Sequence, residues 1–368
     1  MGLLGLSGCG SPSSASVEMS SQTELVTTGS MELQYAENFA VDYYEDGYKM
    51  LTTLPDSKRY LLVPEGQPVP QGLDEDVSIL QEPLQNIYLV ASGVMDMFAS
   101  VDAVEQIRFS GQKQENWYIQ TAKDAMAAGD MIYAGKYSKP DYELLVSEGC
   151  DLAIENRMIT HSPEVVEMLQ SFDIPVMIEY SSYEQHPLGK VEWVKFFGAL
   201  TGKEAKAEEA FAEQTEILEE VESGEKTGKT IAFFYVTSNG LIQVRQSTDY
   251  IPKLIELAGG RYIFENLEDS GSGRSTLNMQ VEDFYAGAKD ADILIYNSSI
   301  DGGVTTVDEL IGKCNILKDF KAVQEGQVYC TTNDMYQQSM AVGYLLQDMH
   351  TVLTDDDTAK LRYLFLLQ

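Results

Sequence analysis

Arg245 is one of only 25 basic residues in a chain of 368 that carries 58 acidic ones and a net charge of −33. A guanidinium in a cleft of so acidic a protein would select an anionic ligand, through its charge and its forked hydrogen bonds to oxyanions. An ordinary surface ion pair is the alternative. Arg157 offers the same chemistry. Tyr180, Tyr183, Tyr336 and Trp117 could wall such a ligand, and Ser92, Asn156 and Asn297 could hydrogen-bond to it. His161 and His186 are two of just three histidines. A bare zinc or manganese site takes several histidines with a carboxylate, so no metal site is assigned to the chain itself.

Signals for catalysis are poor. Gly224-Glu225-Lys226-Thr227-Gly228-Lys229-Thr230 imitates a phosphate loop, but with too few residues between its glycines, and it leads into a strand where a helix is required. Gly271-Ser272-Gly273 follows no strand and lacks the last glycine of a dinucleotide loop. No G-x-S-x-G, HExxH or EF-hand loop is present. The excess of acid excludes nucleic acid, whose phosphates need Lys and Arg, and opposes binding flat on an anionic membrane.

The start of the chain carries a different chemistry. Leu6-Ser7-Gly8 ends a short apolar run at Cys9, and the Ser-rich stretch from Gly10 to Ser16 follows. A bacterial lipoprotein begins in this way, with its cysteine acylated and the remainder held outside the cytoplasm on a polar tether. Eight residues precede Cys9 and none is Lys or Arg, so a basic n-region is missing. Of the other cysteines, Cys150, Cys314 and Cys330 read as small buried thiols, with a Cys314–Cys330 disulfide as the alternative.

These groups must be positioned by the elements around them. Residues 10–34 read as a flexible tether. Residues 39–63 alternate aromatic and polar positions around Asp46-Gly47 and Pro55-Asp56-Ser57, which predicts a β-hairpin, and residues 64–85 read as a connector. Short apolar runs at 87–91, 106–109, 151–154 and 175–178 alternate with helical patterns at 93–101, 118–128, 141–148 and after Ser162. A helical stretch then runs over 189–223. A second alternation places strands at 230–236, 292–296 and 327–329 and helices at 251–258, 281–288 and 339–353, with a Gly/Ser loop at 270–275. Strands alternating with helices imply mostly parallel sheets covered on both faces. The fold class is therefore α/β: two doubly wound lobes, 35–187 and 224–368, joined by one long α-helix at 188–223. Ligands of such folds lie beyond the carboxyl ends of the strands. Ser92, Asn156, Arg157, the run from Glu179 to His186, Asn297, Met335 and Tyr336 all follow strands, and Arg245 and His161 lie a little further on.

Local stretches over residues 85–354 resemble the helix-linked substrate-binding proteins of ABC importers, class III of the periplasmic binding proteins, which carry ferric siderophores, haem and cobalamin. They are Gly135 to Glu143 with Gly149-Cys150-Asp151-Leu152-Ala153-Ile154, where Cys150 replaces the usual proline; Leu257-Ala258-Gly259-Gly260; Val281-Glu282-Asp283-Phe284 with Ala291-Asp292-Ile293-Leu294-Ile295; and Phe320 to Tyr329. The resemblance implies a monomeric receptor without catalytic activity or cofactor of its own. It would bind an iron chelate such as a ferric siderophore, or haem or a corrinoid, between its lobes. A surface-anchored metal-binding enzyme on the same fold is the remaining alternative. The family's haem binders ligate iron through His, Met or Tyr, which gives His161 and His186 a conceivable role. The resemblance also implies that Glu143 and Glu282, one on each lobe, dock onto arginines of the permease, which works with its ATPase.

Overall fold

The computed structural model describes Met1 and residues 25–268, 275–298, 302–356 and 358–368. Cys9 and most of the Gly/Ser loop at 270–275 lie outside the described residues.

The N-terminal region is a sheet, where the sequence suggested a tether and a hairpin. Strands β1 (Thr27–Ser30), β2 (Phe39–Tyr44), β3 (Lys49–Thr53), β4 (Lys58–Val63) and β5 (Val77–Gln81) pair in that order. The expected turns hold: Asp46 and Gly47 take positive φ between β2 and β3, and Ser57 does so before β4. The alternation divides the residues between two faces. Phe39, Val41, Leu51, Tyr60 and Leu62 enter the main core, whereas Tyr48, Met50, Leu61 and Val63 form a small outer cluster. β1 falls inside the expected tether, and β5 inside the expected connector, where it pairs parallel to β4. β1 is short and polar and β5 is only five residues long, and their structure comes from pairing that local sequence does not announce.

The first α/β lobe follows. Its elements are β6 (Ile87–Leu89), α1 (Val94–Ser100), β7 (Ile107–Ser110), α2 (Gln120–Ala128), β8 (Ile132–Tyr133), the tight ribbon β9 (Gly135–Lys136) and β10 (Lys139–Pro140), α3 (Tyr142–Ser147), β11 (Leu152–Asn156), α4 (Pro163–Ser171) and β12 (Val176–Glu179). The sheet order is β12-β11-β6-β7-β8, parallel throughout. The second lobe is built from β13 (Thr230–Val236), β14 (Ile242–Arg245), α7 (Tyr250–Leu257), β15 (Arg261–Tyr262), β16 (Thr276–Met279), α8 (Val281–Ala288), β17 (Ile293–Tyr296), α9 (Val307–Lys313), α10 (Lys321–Gln324), β18 (Val328–Thr331), α11 (Val342–Thr354) and β19 (Leu364–Leu366). Its centre, β13-β17-β18, is parallel; β14, β16 and β19 pair antiparallel at the flanks.

Two aspartates from the repeated motifs do the same job in the two lobes. Asp151, just before β11, accepts the backbone N–H groups of Gln85 and Asn86 before β6. Asp292, just before β17, accepts the N–H and hydroxyl of Thr230 at the head of β13. Each carboxylate pins the start of a neighbouring parallel strand and satisfies donors that the ladder leaves unpaired.

The lobes are joined by two helices, which corrects the expectation of one. α5 (Pro187–Thr201) and α6 (Glu204–Glu222) are separated at Gly202, whose φ of +70° ends α5 in the left-handed region. The pair folds back on itself: Lys195 reaches Glu208 at 3.1 Å, and a Cβ on Gly198 would lie 2.5 Å from that of Ala207. Every residue of α5 is buried. The N-terminal sheet covers one side of it and α6 another, with Phe39 stacked edge-on against Trp193 and Phe196. One apolar cluster runs unbroken from the N-terminal sheet through α5 and α6 to α7 and α11. Cys150, Cys314 and Cys330 are buried, and no disulfide joins Cys314 to Cys330.

Candidate functional site

Between the lobes lies a cleft of ≈ 300 Å³. The first lobe supplies Ala91, Ser92 and Gly93 after β6, Asn156, Arg157 and Met158 after β11, and Glu179, Ser182 and Tyr183 at the end of β12; the second supplies Arg245, Tyr250, Ser275, Met335, Tyr336 and Ser339. Lys190 of α5 completes it. The carboxyl ends of parallel strands converge here because each strand must leave the sheet before its chain can turn into a helix, and the loops meet at the lobe boundary.

Six expected residues line this cleft: Ser92, Asn156, Arg157, Tyr183, Arg245 and Tyr336. Asn156 caps the turn Arg157–His161 by accepting the N–H of Met158 at 2.8 Å, which fixes the loop that presents Arg157. The Arg157 guanidinium stacks over the Tyr183 ring at 4.6 Å. Arg245, at the end of β14, is held by the Tyr262 hydroxyl, which meets its backbone N–H and carbonyl. Its Nη1 lies 3.5 Å from Asp249 and its guanidinium 5.7 Å from the Phe233 ring. Burial works against its charge, but the Asp249 carboxylate together with the Tyr250 and Tyr262 side chains more than offsets this, so the guanidinium's pKa stays above its ordinary value.

Five expected residues lie elsewhere. Tyr180 is buried, with its hydroxyl directed to Asp56 of the N-terminal sheet. Trp117 is buried and donates to the Ser110 hydroxyl at 3.0 Å. Asn297 is buried in a narrow recess behind Arg245. His186 caps α5, its Nδ1 accepting the Leu188 N–H, and stacks on Tyr35 at 4.4 Å; it borders a separate recess with Gln185, Thr248 and Lys253. His161 ends the turn that carries the chain away from the cleft, and is exposed outside its lining. Neither histidine reaches the cleft, because one is used to start a helix and the other stands a full turn beyond Arg157. Among the described residues no cluster of three or more His, Cys, Asp or Glu could hold a metal ion.

Lys190, Tyr250, Ser275 and Ser339 reach the cleft without following a strand of the expected pattern. The signal for Lys190 was present: Lys190, Glu192 and Lys195 are charged residues inside an otherwise apolar run, Leu188 to Leu200. Charges placed so are buried, and buried charges need partners.

Glu143 and Glu282 are exposed on the first turns of α3 and α8, one per lobe. Among the described residues neither makes a hydrogen bond or an ion pair. Asp141 caps α3 by accepting the Leu144 N–H. No helix among the described residues is long and apolar enough to cross a membrane.

The periplasmic binding protein family model matches residues 98–335, which cover most of both lobes and the helices between them. The chain belongs to this family, of the class III type whose members are substrate-binding transport proteins and not enzymes. It is 24% identical over 353 residues to the uncharacterized lipoprotein MJ0878 of Methanocaldococcus jannaschii, covering 87% of this chain and 81% of that protein. Among solved structures, the periplasmic heme binding protein HutB of Vibrio cholerae aligns with a TM-score of 0.57 at 14% identity, over 73% of this chain and 98% of its own. An ABC-type Fe3+-hydroxamate transport protein of Saccharomonospora viridis aligns with a TM-score of 0.56 at 16% identity, over 73% of this chain and 93% of its own. The two-lobe α/β architecture is shared with these structures, and the N-terminal sheet precedes the matched region.

Proposed function

We propose that this protein is the lipid-anchored receptor of an ABC importer, that it captures a ferric siderophore between its lobes, and that it delivers the complex to the permease. The observation that carries the reading is the cleft itself, walled by strand-end loops of both lobes and furnished with arginines, hydroxyls and tyrosines that match a chelate's ring of oxygens. The fold is that of a protein described as heme binding and of one described as belonging to an Fe3+-hydroxamate transport system. In this reading Glu143 and Glu282 dock onto the permease; exposed carboxylates on helix starts give orientation and encounter rate at little cost in stability. Cys9, in its lipoprotein setting, supplies the anchor, and the relative MJ0878 is itself named a lipoprotein.

Haem or a corrinoid is the second reading. Met158, Met335, Tyr183 and Tyr336 line the cleft and include side chains able to ligate haem iron.

Melting of the apo protein in the presence of ferric siderophores, haemin, cobalamin and free divalent metals tests the proposal. A true ligand at about 100 times its Kd adds roughly 2.7 kcal/mol to stability. A saturable rise with a ferric siderophore is the expected result. A rise with haemin or cobalamin alone moves the assignment to the second reading, and a flat panel overturns both. In vesicles holding the permease and ATPase, Glu143→Ala with Glu282→Ala is expected to stop uptake while binding persists; unimpaired uptake would remove the docking role.

A further inference from the structure

Lys190 is the fourth residue of α5 and is 7% exposed. An ammonium so deeply placed ordinarily makes an ion pair or several hydrogen bonds, because its desolvation is costly otherwise. Lys190 does neither. Its ammonium lies over the face of the Tyr250 ring, 4.7 Å from Nζ to the centroid, and among the described residues it has no hydrogen-bond acceptor. The neighbouring α5 charges are fully engaged: Glu192 accepts backbone N–H groups from Gln34, Tyr35 and Ala36, and Lys195 pairs with Glu192 and Glu208. Lys190 instead lines the cleft and its narrow extension beneath Met335 and Tyr363.

Two further cations share that lining, Arg157 and Arg245. Among the described residues the single carboxylate in it is Glu179, whose Oε2 is occupied by the backbone N–H of Ser181 at 2.8 Å and its hydroxyl at 2.6 Å. Asp249 lies beneath Arg245, and Asp96 accepts the N–H of Met340; both are close enough to feel Lys190's charge, and neither is part of the lining. A chain with 58 acidic and 25 basic residues thus directs three cations from three different elements into its cleft, with one carboxylate among the described lining residues.

We infer that Lys190 is a ligand-contacting residue that makes the cleft select a compact polyanion, a complex bearing carboxylate or catecholate oxyanions, over a neutral chelate of similar size. The inference rests on the reading of this cleft as the solute site. The incoming oxyanion supplies the acceptors that Lys190 lacks, so its desolvation cost is borne by the apo protein and released on binding. Tyr250 keeps the side chain extended toward the ligand, and the rigid, buried α5 fixes its origin.

The test is equilibrium titration of the full chain, followed by Tyr and Trp fluorescence, with a ferric tris-catecholate of charge −3, ferric citrate and a neutral ferric tris-hydroxamate. The wild type is expected to bind an anionic probe with an affinity that falls at least tenfold as salt is raised from low to high ionic strength. Lys190→Met keeps the stem and removes the charge; it is expected to weaken binding of that probe by about 30-fold or more, while Lys190→Arg stays within several-fold. Melting of the two apo variants separates this from a structural role. Lys190→Met is expected to melt close to the wild type, since it keeps the stem and removes an ammonium that makes no direct ion pair or hydrogen bond among the described residues. A Lys190→Met protein that melts lower yet binds the anionic probe normally overturns the inference. So does salt-independent binding of the neutral hydroxamate by the wild type with no binding of either anionic probe, although a chelate receptor would survive that result. Failure of all three probes overturns the chelate reading, and this inference with it.

Discussion

Single carboxylates in this molecule differ by what surrounds them. Glu192 is buried and satisfied; Glu155, on β11, is equally buried, and both its oxygens lack a hydrogen-bond partner among the described residues. Burial alone pushes its carboxyl up to about 8. The folded state therefore holds a proton that the unfolded chain releases near its ordinary value of 4.5. Protein stability from this group is complete below about pH 4.5 and falls as pH rises toward 8, by up to about 5 kcal/mol in all. Glu155→Gln cannot ionise, so its melting temperature minus that of the wild type is expected to grow steadily between pH 5 and pH 8. Parallel melting curves across that window would show that Glu155 does not carry the effect.

At the scale of elements, carboxylates act as clamps on irregular chain. Glu192 grips residues 34–36, and Glu184 accepts the N–H groups of Glu37 and Asn38 together with the Trp193 indole. These two side chains, from α5 and the loop before it, fasten the N-terminal sheet to the inter-lobe helices. Asp348 of α11 does the same for the C-terminal strand by accepting the N–H groups of Arg362, Tyr363 and Leu364. Glu192→Gln turns an N–H donor toward the N–H donors of residues 34–36 and weakens the hold on Lys195. It is expected to cost about 2–4 kcal/mol by chemical denaturation and to speed amide exchange over residues 34–53 first. A loss of stability without faster exchange in that segment would show that the clamp does not govern the sheet. The close approach at Gly198 explains how α5 and α6 can pack as a hairpin: any side chain there would push against Ala207.

The whole molecule is tied across its cleft as well as behind it. Gln337, fully buried in the second lobe, accepts the Tyr118 N–H and donates to the Asn116 carbonyl of the first, each at 2.8 Å. Asp96 of the first lobe accepts the N–H of Met340 at 2.7 Å, and the Tyr118 and Tyr336 rings meet edge to face. With one core running through the α5–α6 pair and this second tie, lobe movement is restricted to small angles. Gln337→Ala leaves a buried N–H and a carbonyl without partners and is expected to increase the radius of gyration of the apo protein in solution scattering. An unchanged radius would mean that the helices alone set the lobe angle.

Much of this organisation was legible in the chain itself. Alternating apolar runs and helical patterns specify parallel sheets because each sheet face must be covered, and the motif aspartates Asp151 and Asp292 sit at strand starts because local donors need an acceptor there. Strand ends, and with them Ser92, Asn156, Arg157, Tyr183 and Tyr336, follow from that pattern, whereas Arg245 ends β14, a strand the pattern did not place. The tertiary structure decided the rest. Strands β1 and β5 exist by pairing with β2 and β4, the run 189–223 breaks at Gly202 and folds back, and His186 is consumed as a helix cap. Lys190 reads in sequence as one charge in an apolar helix; only the packing of the N-terminal sheet and α6 against the rest of α5 leaves the cleft as the place its ammonium can go. Periodicity records which face of an element is buried, but what buries it is fixed by contacts between residues far apart in the chain.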